Sequence, residues 1–248
     1  MKFIQHISIT TVLILIMALP LNAQEDSKEY TKKFTNRMFF SMGTTFSDYD
    51  DLNSSLSQFG YPELSENTFI IGGSSFKIMK KFIHGAEIHA IMGDRAEGNN
   101  YEVSLKGISG KLNFGYILFE PGNFDLFPHI GVGASSLVLN MERNIGQASF
   151  NDIIQDPDDG AELYRAGFIA DIGINLHYSF DFMKNKERMG DIVLGFSAGY
   201  MFDPFNRDWI VNGDKLTNGP DLNHNNIYVK IIIGKGRDKA FSMNKKSN

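Results

Sequence analysis

Histidine, carboxylate and hydroxyl side chains are where this 248-residue sequence could do chemistry. His84, His89, His129, His177 and His224 stand among many serines and acidic residues, so a nucleophile, a base and an orienting carboxylate are all present in composition. No serine stands in a recognisable elbow, however, and His with Ser co-occurs in almost any chain of this length. Asp156-Pro157-Asp158-Asp159-Gly160 is the one acidic cluster. Carboxylates around a glycine turn can ligate Ca²⁺, but the EF-hand spacing is missing, and Pro-Asp-Asp-Gly equally makes a plain solvated turn. Gly72-Gly73 and Gly131-Val132-Gly133 lack the strand-to-helix setting of a nucleotide loop. With Cys 0, disulfides and thiolate metal sites are excluded, and so is a lipid anchor on cysteine. No catalytic residue, cofactor site or metal site is assigned.

What remains is a set of polar residues whose meaning depends on the elements that carry them. No mature segment shows a persuasive helical period. Eight stretches alternate instead, over 37–46, 67–80, 82–93, 101–119, 124–141, 163–181, 191–203 and 225–235. The sixth is clearest. Tyr164, Ala166, Phe168, Ala170, Ile172, Ile174, Leu176, Tyr178 and Phe180 share one face, while Arg165, Asp171, Asn175 and His177 share the other. In water so long an apolar face is an aggregation hazard. Against lipid it is required. The seventh and eighth stretches repeat the pattern. In the fourth, Val103 and Leu105 fall out of phase with Ile108, Leu112 and Phe114, which predicts a bulge near Lys106-Gly107.

The connections alternate in length. Lys80-Lys81, Glu120 to Asn123 and Met183 to Gly190 are short, whereas 47–66, 94–100, 142–162 and 204–224 are longer. Turns on one rim and loops on the other describe an up-and-down transmembrane β-barrel: all-β, eight-stranded and antiparallel, with short periplasmic turns and longer external loops. If the apolar faces meet lipid, the lumen collects Glu87, His89, Lys111, Asn113, His129, Asp171, Asn175, His177 and Lys230. An eight-stranded barrel has an interior only wide enough for side chains. Charges there must pair, so the nine read as a polar network filling the barrel, with a narrow pore or ligand pocket as the alternative.

Around the barrel, residues 1–23 read as a cleaved signal peptide, with Lys2 before the apolar run Ile7 to Leu19 and small residues at Leu21-Asn22-Ala23. Residues 24–36 form a flexible segment, 37–236 the barrel and 237–248 a polar tail. In the first long loop Leu52, Leu56 and Phe59 have helical spacing and predict a short helix packed as a lid. Phe150 to Ile154 puts apolar residues in the third long loop, for loop packing or a partner contact. Trp209, the only tryptophan, suits the outer membrane interface. The net charge of -5, with no basic stripe, gives no case for nucleic acid.

Leu56-Ser57-Gln58-Phe59-Gly60-Tyr61-Pro62, His129-Ile130-Gly131-Val132-Gly133, Asp208-Trp209, Gly219-Pro220 and the last strand Ile227 to Gly236 carry a resemblance. Over roughly residues 37–236 the chain resembles the OmpA/OmpX-like outer-membrane barrels of Bacteroidota. The resemblance implies a Gram-negative outer-membrane location, with the lipid bilayer and the outer-membrane assembly machinery as partners. Such barrels often end at an aromatic residue, whereas here Arg237 to Asn248 continues. The leading function is a non-enzymatic structural or surface-interaction barrel. A small pore or ligand-transfer barrel, a lipid-directed enzyme, and a soluble periplasmic β-barrel holding a hydrophobic ligand are the alternatives.

Overall fold

Alternation of apolar and polar residues at a period of two, repeated along most of a long chain, is met by a sheet closed on itself. The computed structural model describes residues 31–98, 101–143, 160–180, 191–205, 207–217, 219–220, 222 and 225–242. In it the long strands are β1 (Thr31–Phe46), β2 (Asn67–Met79), β3 (Phe82–Gly98), β4 (Tyr101–Tyr116), β5 (Phe124–Arg143), β6 (Gly160–Phe180) and β7 (Ile192–Phe202). A two-residue ribbon, β8 (Ile210–Val211) and β9 (Asp214–Lys215), precedes the final long strand β10 (Asn226–Ser242). Setting the ribbon aside, eight long strands remain. The order β5-β4-β3-β2-β1-β10-β7-β6, with β5 also paired to β6, closes the ring, and the registers given for neighbouring strands are antiparallel. The fold is an eight-stranded antiparallel barrel, as the alternation predicts.

The strands reach beyond the expected bounds. β1 starts within the segment expected to be loose, and β10 takes in Arg237 to Ser242 of the expected tail. Ladder hydrogen bonds need no apolar side chain, so polar sequence joins a strand wherever a neighbour is there to pair. Similarly, most of 94–100 is strand, stitched across by Arg95 and Glu102 at 2.7 Å. Residues 1–23, expected as a signal peptide, the acidic cluster Asp156, Asp158 and Asp159, and Phe150 to Ile154 lie outside the described residues.

Two faces follow from the alternation. Outside, Met38, Phe40, Ile88, Ile108, Leu112, Phe114, Ile130, Val132, Phe168, Ile172, Ile174, Phe196, Ile227, Ile231 and Ile233 are all exposed, Ile231 by 64%. That apolar girdle is what a transmembrane barrel turns to lipid.

The bulge expected in β4 is not there. β4 pairs with β5 without a shift from Tyr101 to Gly115. The irregularity sits on β3, between Met92 and Arg95. Val103 and Leu105 are inward-facing and buried in phase with Lys111 and Asn113. They are apolar because the lumen itself changes character towards the long-loop end.

The cause is a lid. Helix α1 (Asp50–Gln58) turns Leu52 and Leu56 into the mouth, where they meet Tyr49, Leu64, Val103, Leu105, Leu137, Leu139, Trp209 and Leu222. Asp50 and Asp51 in its first turn complement the helix dipole. Asn53 fastens the returning chain through both its amide groups, at 3.0 Å to the Leu64 carbonyl and 2.8 Å from the Leu64 N–H. Phe59, expected on the lid's inner face, is instead 73% exposed. It lies just past the last helical turn, so its direction no longer follows the helical spacing.

Trp209 is also corrected. It is 2% exposed, packed in the mouth rather than anchored at an interface, and its Nε1 donates to the Pro220 carbonyl at 3.2 Å. The ribbon beside it turns through Asn212 and Gly213, both at positive φ, the dipeptide suited to a two-residue hairpin. Arg165 holds this loop to β6, donating to the carbonyls of Arg207 and Leu222 at 3.0 and 2.8 Å.

Ile172 lies midway along the outward apolar run of β6. Ile172→Lys is expected to lower the unfolding free energy in lipid vesicles by about 2–4 kcal/mol. A change within about 0.5 kcal/mol, the ordinary range of surface substitutions, would show that this face does not meet lipid.

Candidate lumen polar network

Inward positions place every expected polar residue inside the barrel, and all nine are buried. Seven of them join one continuous cluster. Lys230 Nζ donates to Glu87 Oε2 at 2.8 Å. Lys111 Nζ lies 3.5 Å from the same oxygen and donates to Asp171 Oδ2. Cations and carboxylates therefore alternate across the lumen as Lys230, Glu87, Lys111, Asp171. Two positive and two negative side chains cancel, which is the condition under which charges tolerate burial.

Further polar groups complete the cluster. Asn175 Nδ2 donates to His129 Nδ1 at 2.7 Å, leaving the ring proton on Nε2. That nitrogen stands 3.2 Å from Asp171 Oδ2 and 3.1 Å from the Tyr228 hydroxyl. The Tyr228 hydroxyl donates to Asp171 at 3.1 Å. Both lysine ammonium groups also sit over the Tyr228 ring, 4.9 Å for Lys111 and 4.8 Å for Lys230, within the range of a cation–π contact. Ser41 Oγ and His89 Nε2 are 2.9 Å apart, and His89 Nδ1 is 3.9 Å from Glu87.

Glycines make these approaches possible. Lys111 and Asp171 reach each other across β5, where a Cβ on Gly133 would lie 2.8 Å from Lys111 Cβ and one on Gly131 would lie 3.1 Å from Asp171 Cβ. Tyr228 crosses β7 in the same way: it pairs with Gly199, whose Cβ would stand 2.5 Å from the hydroxyl. The small residues and the charged ones are one design.

Two expected members stand apart. Asn113 is buried beside the network, but neither of its amide atoms has a hydrogen-bond partner among the described residues. His177 belongs to a lower group, with Arg37 Nη1 3.3 Å from its Nδ1 and the Phe39 and Phe127 rings each 4.9 Å away. Arg37 also pairs with Asp125 at 2.5 Å. Around this group Phe76, Ile78, Ile83, Ile117, Val193 and Ile232 fill the short-turn end. The lumen is thus layered: apolar plug, charged belt, apolar lid.

Sequence reasoning missed Arg37, Ser41, Asp125 and Tyr228. Tyr228 shares the inward phase of Lys230, which was signal enough. Ser41, His89 and Glu87 stand in the order of a nucleophile, base and carboxylate. Glu87 is already engaged by two lysines, Ser41 is 2% exposed, and the cavity of about 30 Å³ beneath the lid touches His89 but not Ser41. As placed, the Ser41 hydroxyl is enclosed by the barrel and stands outside the lining of that cavity.

No protein-family model matches the chain, and no curated protein matches it in sequence. Among solved structures it is similar to Ail, the attachment invasion locus protein of Yersinia pestis, at 10% identity over 85% of this chain and 100% of that one, with a TM-score of 0.40. Neisserial surface protein A is 11% identical over 82% of this chain and 96% of that one, TM-score 0.36. The outer membrane protease OmpT of Escherichia coli is 10% identical over 88% and 99%, TM-score 0.33. At such scores no function passes from these proteins to this one, and the barrel rests on its own strand ladder.

Tyr228→Phe removes the hydroxyl that joins Asp171 and His129 while keeping the ring. It is expected to cost about 1–3 kcal/mol in urea unfolding of the detergent-folded barrel. Gly199→Ala, which displaces the same hydroxyl, is expected to cost a similar amount. Loss in neither variant would mean that the hydroxyl is not held as described.

Proposed function

We propose that this chain is a non-enzymatic outer-membrane β-barrel with a structural or surface-interaction role, closed to ions through its lumen. The observation that carries the reading is the neutral chain Lys230–Glu87–Lys111–Asp171, held between the apolar lid and the apolar lower plug. An ion crossing the barrel would have to break those pairs in a low-dielectric interior, where removing one partner costs about 3–5 kcal/mol. The exposed apolar girdle speaks for a bilayer and against a soluble periplasmic β-barrel. On this reading residues 1–23 direct export, the assembly machinery inserts the barrel, and the long-loop rim with α1 faces outside. Membership of the OmpA/OmpX-like barrels of Bacteroidota is part of the same proposal.

One observation favours a second reading. The small cavity between lid and charged belt is lined by His89, Lys111, Tyr228 and Lys230 together with Tyr49 and Met201. Movement of the lid would open this space from the long-loop side, the first step of a small pore or ligand-transfer barrel.

Planar bilayers separate the two. The purified barrel is expected to give no resolved conductance steps at neutral pH. Steady channels, altered in size by Lys230→Met, would establish the pore and overturn the closed barrel.

A further inference from the structure

A second cavity, of about 220 Å³, opens at the long-loop rim, separate from the charged belt. Leu56 of α1, Leu139 and Met141 of β5, Leu163 of β6, and Trp209 and Leu216 of the ribbon loop line it. Among the described residues, no polar atom of its lining is exposed to it. Leu139 and Leu163 are direct cross-strand partners, so its floor is regular sheet.

Its outer wall is thin. β7 ends at Phe202, paired with Ala170, while β6 runs on to Gly160. Beyond that point the wall beside β6 is the ribbon loop, joined to β6 by one ladder pair, Tyr164–Ile210, and by the two hydrogen bonds of Arg165. The residues before these two, Leu163 and Trp209, turn inward to the cavity. On the outside the apolar girdle continues up to this wall, with Phe168 and Phe205 edge to face at 5.9 Å. Leu163 lines the cavity while its neighbour Tyr164 is exposed on the outside, so one strand separates the cavity from the outer surface of the barrel.

An apolar pocket offers water no hydrogen-bond partner and so favours an apolar guest; an enclosed one of about 150 Å³ takes up benzene. The larger space here suits a single ring with a short alkyl arm, or an unbranched chain of about six to eight carbons. It is too small for the tail of a membrane lipid. We propose that this pocket binds a small uncharged hydrocarbon, taken up as a free solute from the adjoining bilayer.

Trp209 is the only tryptophan of the chain, so its emission reports on this one pocket. The full barrel in phosphatidylcholine vesicles, which contribute no indole of their own, would be titrated with 1-bromohexane, whose bromine quenches indole on contact. Leu216→Phe fills the pocket, and Ser55→Asp sets a charge at its rim from the partly exposed side of α1; heat-modifiable gel migration checks that each is folded. The expected result is saturable quenching in the wild type, with the apparent Kd raised on the order of tenfold or more in each folded variant. If Leu216→Phe fails to fold, Ser55→Asp decides alone. Linear, unsaturable quenching equal in all proteins would be mere partitioning into the bilayer, and overturns the proposal. So would a wild-type Trp209 shielded from the probe, as when a lipid tail or the protein's own chain fills the pocket. Saturable quenching unchanged in the folded variants would place the site elsewhere and overturn it equally.

Discussion

Charges inside a narrow barrel must be neutralised by one another, since bulk water cannot reach them and the interior has no room for a full hydration shell. In this barrel that constraint is met by Glu87 and Asp171, each gripped by Lys111, with Lys230 on Glu87 and His129 and Tyr228 on Asp171. The arrangement fixes more than local geometry. Glu87 is the register partner of Lys111 across β3 and β4, and Asp171 lies opposite Gly131 across β5 and β6. A slip of one residue in any of these ladders would send a charge to the lipid face. The paired charges act as pins that select one register among several with similar backbone hydrogen bonding.

The glycines and the two apolar layers are consequences of the same constraint. Long lysine and tyrosine side chains can meet in the centre only if the strands between them carry no Cβ, which accounts for Gly131, Gly133 and Gly199. Water kept from the belt weakens its pairs less, and the two closures do that work: Phe39, Phe76 and Phe127 with Ile232 at the short-turn end, and α1 with Trp209 at the other. Arg37 and Asp125 close the lower plug with a further neutral pair.

The barrel was legible because lipid imposes a strict period of two, strongest in β6, β7 and β10. The nine lumen residues followed from phase alone. What the phase could not give was neighbours, since contacts such as Lys230 with Glu87 join strands far apart in sequence. The misreadings share a cause. Treating apolar as lipid-facing works only where the lumen is polar, and the mouth is not: Val103, Leu105 and Trp209 face inward under a lid whose packing no local pattern shows. Arg37 and Ser41 carry little signal because β1 alternates weakly in hydropathy, and the ribbon little because 204–224 is loop-like in composition, although Asn212-Gly213 marks its turn.

The central claim, that the lumen is organised by coupled buried charges, is tested most directly by a double-mutant cycle on Glu87 and Lys230. Unfolding free energies would be compared for the wild type, Glu87→Gln, Lys230→Met and the double variant. Each single change is expected to cost about 3–5 kcal/mol, and the double change clearly less than their sum, leaving a coupling of about 2 kcal/mol or more. Costs that add to within about 0.5 kcal/mol would show that the two side chains act independently, and would contradict the account.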